Sequence, residues 1–199
     1  MLSLLNRDEY KYAANDLGCA HPSFCTLIGL PVGAAFNVEA GEKKIDEAAR
    51  MDTIFHFFGH CKEGKLDLGD NEVIDVIRFK MMMERLTDRN VGRSSAGCSL
   101  IFLNACESLL GDSDYSLRSA AARPGICGLV ATEAEVPRDF ALQFGHRFLQ
   151  LLVDEGHSVG ETIGVLREEL WPLSLLYGCY AHPAYRIERS SVVGADQSS

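Results

Sequence analysis

Ile54-Phe55-His56-Phe57-Phe58-Gly59-His60 is an apolar run that stops at a histidine. A second run, Leu100-Ile101-Phe102-Leu103-Asn104-Ala105-Cys106-Glu107-Ser108, breaks off at a cysteine. Neither run alternates apolar with polar residues, so neither reads as a strand with one wet face. A short continuous run of this kind reads as a strand buried on both sides, as in parallel sheets. Phe24 to Leu30 and Ile126 to Ala131 read the same way. Glu42 to Arg50, Asn71 to Leu86, Pro137 to Val153 and Ser158 to Leu170 have helical character. Strands alternating with helices predict an α/β fold, with an open, mainly parallel sheet flanked by helices.

The helices carry their own punctuation. Over Asn71 to Leu86 the predicted apolar side is Val73, Val76, Ile77, Met81 and Met83. Pro137 stands at a helix start, where its missing N–H costs nothing. Ser158 and Glu161 have the spacing of a capping box. Thr87 to Gly97 is polar and rich in turn residues, so it reads as a loop. Leu109 to Gly125 reads as a polar loop passing into an Ala-rich turn of helix, and Tyr177 to Ile187 as extended. Residues 1–23 are set apart as an N-terminal extension, read either as a helical turn or as a remnant of something longer. Residues 24–189 form the expected domain, and 190–199 a disordered tail.

Composition narrows the function classes. The chain has 199 residues and a formal net charge of −9, enough for one domain with a real core. No Lys/Arg cluster is present to neutralise phosphates, which argues against nucleic acid and against an anionic membrane surface. The longest apolar stretch, Phe24 to Phe36, holds Pro31 and is too short to span a bilayer. The start of the chain lacks the apolar region of a signal peptide. Seven cysteines without regular spacing fit free thiols in a reducing, cytoplasmic setting. Cys25, Cys98 and Cys127 sit inside apolar runs and read as inert core residues.

In open α/β sheets the site forms beyond the carboxyl ends of the strands. His60 and Cys106 both fall just past such ends. A thiolate is a nucleophile, and an imidazole nearby can take its proton or stabilise the anion. The spacing fits the caspase-type pattern, with the histidine about 50 residues before the cysteine. The bland alternative is a core cysteine and a satisfied histidine at a strand end.

The flanking residues carry a resemblance. Phe57-Phe58-Gly59-His60 together with Leu103-Asn104-Ala105-Cys106-Glu107-Ser108 resembles the CHAT family of caspase-like cysteine peptidases. Gly128 to Thr132 followed by Val136-Pro137-Arg138-Asp139 is similar to that family's fourth strand and next helix. Gly156 to Thr162, and then Leu176 to Pro183, resemble its Gly-Ser-x-Gly-Glu segment and its closing strand. The likeness covers residues 24–187 and keeps the order of the motifs. It implies a caspase-like fold and a cysteine endopeptidase that needs no cofactor and acts on a protein or peptide substrate. A sensor or regulatory protein partner would control it.

By that resemblance Cys106 is the nucleophile and His60 its acid–base partner. The backbone at Gly59 and Cys61 would form the oxyanion hole. Strand-end residues Asn104, Glu107, Glu133 and Glu135 are the pocket candidates, and an inward Glu133 or Glu135 would favour a basic side chain. Arg118 and Arg123 fall where such enzymes carry an activation loop, as candidate self-cleavage points. One departure stands out. The family usually has glycine after its histidine, and this chain has Cys61, whose bulk could obstruct the substrate and whose thiol could compete with Cys106. The second hypothesis is therefore an inactive, caspase-shaped module that binds a peptide without cutting it.

Two other chemistries are weaker. Gly59 to Lys65 satisfies the spacing of a phosphate loop, but Leu66 stands where Ser or Thr should hold Mg²⁺, and no helix start follows. His56, His60, Cys61, Cys179 and His182 are potential metal ligands without a recognised spacing, so no metal is assigned. His56 reads as a buried strand residue.

Overall fold

The computed structural model describes residues 2–5, 33–35, 38–48, 53–88, 98–110 and 115–187. The chain folds as an α/β protein around a six-stranded, mostly parallel sheet. Its strands are β1 (Leu2–Leu5), β2 (Gly33–Ala35), β3 (Ile54–Phe58), β7 (Ser99–Asn104), β8 (Ile126–Thr132) and β9 (Tyr177–Ala181). Their order across the sheet is β2-β1-β3-β7-β8-β9, and only β9 runs antiparallel to its neighbour. A small antiparallel sheet of β4 (His60–Lys62), β5 (Lys65–Gly69) and β6 (Glu72–Ile74) follows β3 directly.

The reason β3 and β7 lack alternation is visible in their packing. Every residue of both strands is buried. Phe55, Phe57, Ile101 and Leu103 face one side, against Phe79, Met82, Met83 and Leu86 of α2 (Val76–Asp88) and against Leu117, Ala120 and Ala121 of α3 (Leu117–Ala121). Val38 and Ile45 of α1 (Val38–Ala48) join that layer. Ile54, Phe58, Leu100 and Phe102 face the other side. There they meet Phe140, Phe144 and Phe148 of α4 (Arg138–Leu149) and Ile163 and Leu166 of α5 (Val159–Glu169). Phe102 lies at the middle of this second layer, 4.6 Å from the Phe148 ring and 5.1 Å from the stacked His56 ring. Such aromatic pairs add about 0.5–1.5 kcal/mol each beyond area burial.

Three expectations need correction. Leu2–Leu5 is a strand pairing in parallel with both β2 and β3, so these residues belong to the sheet rather than to an extension. Asn71 to Leu86 is not one helix. Asp70 and Asn71 take left-handed backbone angles and turn β5 into β6, and the helix begins only at Val76. Asp75 caps it, its Oδ1 accepting the Arg78 N–H at 2.8 Å. The buried stripe of α2 is Phe79, Met82, Met83 and Leu86, while Val73, Ile77 and Met81 are 45%, 62% and 50% exposed. The stretch from Pro137 ends as an α-helix at Leu149 and continues as a π-helical turn over Gln150–Asp154.

Elsewhere residues and structure agree. Ser158 and Glu161 form a reciprocal capping box at the start of α5, and Ser116 caps α3 in the same way. The strand read at Phe24 to Leu30, most of the Thr87 to Gly97 loop and the tail from Ser190 lie outside the described residues. Among the described residues, no helix is long and apolar enough to cross a membrane.

The α2 stripe is testable. Phe79→Ala is expected to lower the unfolding free energy by about 3–5 kcal/mol. Ile77→Ala should change it by less than about 0.5 kcal/mol. Urea denaturation followed by circular dichroism reads both, and comparable losses would reject the assigned face.

Candidate active site

The site is built where β3 and β7 end side by side. Phe58 lies opposite Asn104 in the parallel ladder, and the Gly59 N–H donates to the Asn104 carbonyl at 3.3 Å. Past that bond the two chains separate, β3 into the small sheet and β7 into a tight turn. Glu107 occupies the left-handed region at φ 52° and reverses the chain.

Buried hydrogen bonds hold this turn to the end of β8. The Leu109 N–H donates to the Thr132 carbonyl at 2.9 Å, and the Glu107 N–H to the Ala134 carbonyl at 3.1 Å. The Ser108 hydroxyl donates to the Leu103 carbonyl at 3.3 Å and accepts the Thr132 N–H at 3.2 Å. The Thr132 hydroxyl donates to the Ala105 carbonyl. Ser108 and Thr132 are wholly buried, so losing either partner would strand a polar group at a cost of about 1–3 kcal/mol. These bonds leave Cys106 half-buried at the head of the turn. The Val136 N–H points at its Sγ at 3.4 Å, and the thiol lies 3.7 Å from the Val136 carbonyl.

The small sheet delivers the histidine. Lys62-Glu63-Gly64-Lys65 is a two-residue hairpin, with Glu63 at φ 53° and Gly64 at φ 72°. Two consecutive left-handed residues define the turn whose twist suits a hairpin. The phosphate-loop spacing is therefore satisfied by a β-turn. Across this hairpin His60 faces Asp67, Cys61 faces Leu66 and Lys62 faces Lys65. Cys61, Leu66, Leu68 and Ile74 point into the core, while His60, Lys62 and Lys65 point outward.

Register also settles the Cys61 backbone. Lys62 and Lys65 close the turn, so the next pair along, Cys61 and Leu66, directs its N–H and C=O groups away from each other. β4 is the edge of its sheet, and the Cys61 N–H lies on that outer edge.

His60, Cys61, Lys62, Asp67, Cys106, Glu107, Glu135, Val136 and Pro137 line one open cleft of about 800 Å³. A narrow recess of about 40 Å³ adjoins it, lined in part by Gly59, Asn104 and Arg138. The histidine and the cysteine thus open onto one cleft, joined by Glu107 and Glu135.

The other expected site residues fare differently. The Gly59 N–H is bonded to Asn104, so it is not an oxyanion donor in this arrangement. Asn104 is buried, its Nδ2 donating to the Ala141 carbonyl at 2.8 Å and its Oδ1 accepting the Tyr177 hydroxyl. It ties β7 to α4 and β9 rather than reading a substrate. Gly145 is fixed by this contact, because a Cβ there would lie 2.7 Å from the Asn104 Nδ2. Glu133 is outside the cleft lining, where its Oε1 accepts the Tyr180 hydroxyl at 3.3 Å.

Arg118 lies inside α3 with its guanidinium 5.8 Å from the Tyr180 ring centroid, and Arg123 is paired with Glu84 at 2.8 Å. Arg123 stands in the turn between α3 and β8, whereas Arg118 is held within the helix. Asp67, Lys62 and Val136 escaped the sequence reading. For Asp67 the signal was the alternation Lys65-Leu66-Asp67-Leu68, a half-buried strand hidden by the phosphate-loop spacing beside it.

The remaining thiols differ from Cys106. Cys61 is 7% exposed, and burial pushes its thiol up to about 11. The Cys127 thiol donates to the Ser99 carbonyl at 3.2 Å and is likewise pushed up by burial. Cys25 lies outside the described residues. His182 stands in a turn, its Nδ1 accepting the Ala184 N–H at 3.3 Å. Among the described residues no three His, Cys, Asp or Glu side chains gather as a metal site. No protein-family model matches the chain, and no curated protein does.

The contrast between the thiols gives a prediction. Brief iodoacetamide treatment at neutral pH should modify Cys106 and spare Cys61, as read by peptide mass mapping. Equal modification would contradict the assigned faces of β4. The Cys61 proton is held more tightly in the folded chain than at its ordinary value of 9.0. Its contribution to stability is therefore intact below about pH 9 and is lost as pH rises towards about 11.

Proposed function

We propose that the chain is a cysteine endopeptidase of caspase-like type, cutting a protein or peptide partner at the cleft between β4 and the turn after β7. The observation that carries this is the open cleft lined by both His60 and Cys106, with the Val136 N–H on the Cys106 sulfur. The motif resemblance to the CHAT family supports it independently.

In this reading the Cys106 thiolate attacks the scissile carbonyl carbon, and the carbonyl π pair moves onto oxygen. The outward Cys61 N–H is placed to bind that oxyanion. As the tetrahedral adduct collapses, the C–N bond breaks and imidazolium at His60 gives its proton to the leaving amine. An acyl-thioester on Cys106 remains. His60 then takes a proton from water, whose oxygen attacks the thioester and releases acid and thiol. The cysteine after the histidine is no obstacle in this account, because its side chain is directed into the core and only its backbone faces the edge.

Glu107 and Glu135 flank the nucleophile on the cleft wall. A basic side chain before the scissile bond suits them, by charge-assisted hydrogen bonding in a partly shielded cleft. Control by a separate regulatory protein belongs to the same proposal. One observation favours the alternative of a binding module that does not cut: the bonded Gly59 N–H leaves the oxyanion site without one of its expected donors.

The test is covalent labelling by a peptide electrophile ending in arginine, read by intact mass. One adduct is expected on the wild type and none on Cys106→Ala, with labelling slowed by about 10²-fold or more in His60→Ala. Equal labelling of wild type and Cys106→Ala would reject the nucleophile. Binding without labelling would favour the non-cutting module. Glu135→Arg should in addition weaken preference for an arginine probe over a leucine probe by about tenfold, measured as the ratio of labelling rates. An unchanged ratio would remove Glu135 from the specificity pocket.

A further inference from the structure

We propose that Asp67 is the positioning residue for His60, making the site a Cys106–His60–Asp67 relay rather than a dyad. The inference rests on the reading of His60 as the acid–base partner of Cys106. Asp67 stands directly opposite His60 across the β4–β5 hairpin. Counting from the turn, Lys62 and Lys65 form one closely hydrogen-bonded pair and His60 and Asp67 form the next, with Cα atoms about 5.5 Å apart. Directly opposed residues project from the same face of the ladder. That face is the outer one, because Cys61, Leu66 and Leu68 take the core. Both side chains line the cleft that Cys106 opens onto.

The carboxylate is itself oriented. Its Oδ1 accepts the Gly69 N–H at 2.7 Å, at the irregular step between β5 and β6. This bond holds one oxygen of the carboxylate, and in this proposal Oδ2 is the oxygen that meets the imidazole. A carboxylate on one ring nitrogen holds the tautomer, presents the other nitrogen to the sulfur and stabilises the imidazolium that forms. It does so without taking the proton. The groups that share this surroundings are Lys62 on β4, Lys65 on β5, Glu107 and Cys106 in the turn after β7, and Glu135 ahead of α4. Lys65 is the diagonal neighbour of His60, and Lys62 that of Asp67, so both compete electrostatically for the same carboxylate.

The experiment uses iodoacetamide alkylation of Cys106 as a function of pH, with site occupancy read by peptide mass mapping. It needs no substrate. Asp67→Asn keeps an Oδ1 acceptor for Gly69 while removing the charge, so the fold is retained. Thermal melting checks this, and Asp67→Glu and Lys65→Gln serve as companions. The expected result is a fall of about tenfold in the neutral-pH alkylation rate of Asp67→Asn, with the profile displaced to higher pH. Asp67→Glu should recover most of the rate, and Lys65→Gln should stay close to wild type.

A wild-type profile in Asp67→Asn, alongside a displaced profile in His60→Ala, would overturn the positioning role and leave the Cys–His pair standing. A profile unmoved by His60→Ala would overturn both together. A change in Lys65→Gln as large as in Asp67→Asn would mean that general surface charge is at work, and would also overturn it. If Asp67→Asn melts early, the Asp67→Glu result decides: a profile left at ordinary-thiol pH would reject the role.

Discussion

Everything at the site depends on where the β3–β7 ladder stops. The strands are buried on both faces, so their register is fixed by two packed layers at once, and a slip would cost both. The ladder runs to Phe58 opposite Asn104 and ends with the Gly59 N–H on the Asn104 carbonyl. That last bond holds the two chain ends together at the point where one becomes a hairpin and the other a turn. The same bond occupies the Gly59 N–H, so the group that aligns the strands is turned away from the cleft. The Asn104 side chain extends the same constraint sideways to α4 and β9 through Ala141 and Tyr177. The Tyr177 ring is stacked on Phe144 and its hydroxyl proton is held tightly by burial.

The turn after β7 shows how reactivity and burial are reconciled. A nucleophile at a strand end needs exposure, yet the backbone beside it is surrounded by core. Here the polar groups of Ala105, Glu107, Ser108 and Leu109 are satisfied by β8 and the residues just after it. The side chains of Cys106 and Glu107 are turned towards the cleft. The left-handed Glu107 is the hinge of this arrangement, at a modest cost for a residue with a Cβ. That Val136 touches the sulfur with its N–H means the segment entering α4 belongs to the nucleophile's surroundings as much as to the helix.

The legible parts of the chain were those where one physical cause dominates. Strands β3, β7 and β8 could be read because burial on both faces leaves little room for polar residues, and the Ser158–Glu161 capping box because its spacing is local. The β4–β6 meander was missed because its strands are three to five residues long and overlap a glycine-lysine spacing that suggests another motif. The helix from Val76 was started too early, and of its expected apolar side Val76 and Met83 meet the core while Val73, Ile77 and Met81 are apolar yet exposed. Only the Asp75 cap separated strand from helix there. His60 and Cys106 were visible as strand-end residues. Asp67 was not, because its place beside His60 exists only through the hairpin register.

That register also decides which of two neighbouring residues faces the cleft and which the core. His60 and Cys61 are adjacent, and strand geometry sends them to opposite faces. With the turn at Glu63-Gly64, histidine faces the cleft and cysteine the core. A hairpin shifted by one residue would exchange them, placing a thiol beside Cys106 and burying an imidazole among Leu66, Leu68 and Ile74. Burying that polar ring without a partner costs several kcal/mol, roughly 2–7 on transfer scales, while the present register buries a cysteine at little cost. The apolar demand of the core thus selects the arrangement in which the histidine faces the cleft. A glycine at position 61 would satisfy the same backbone geometry but would not help to choose the register. Cys61 is therefore best understood as a core residue that sets the hairpin.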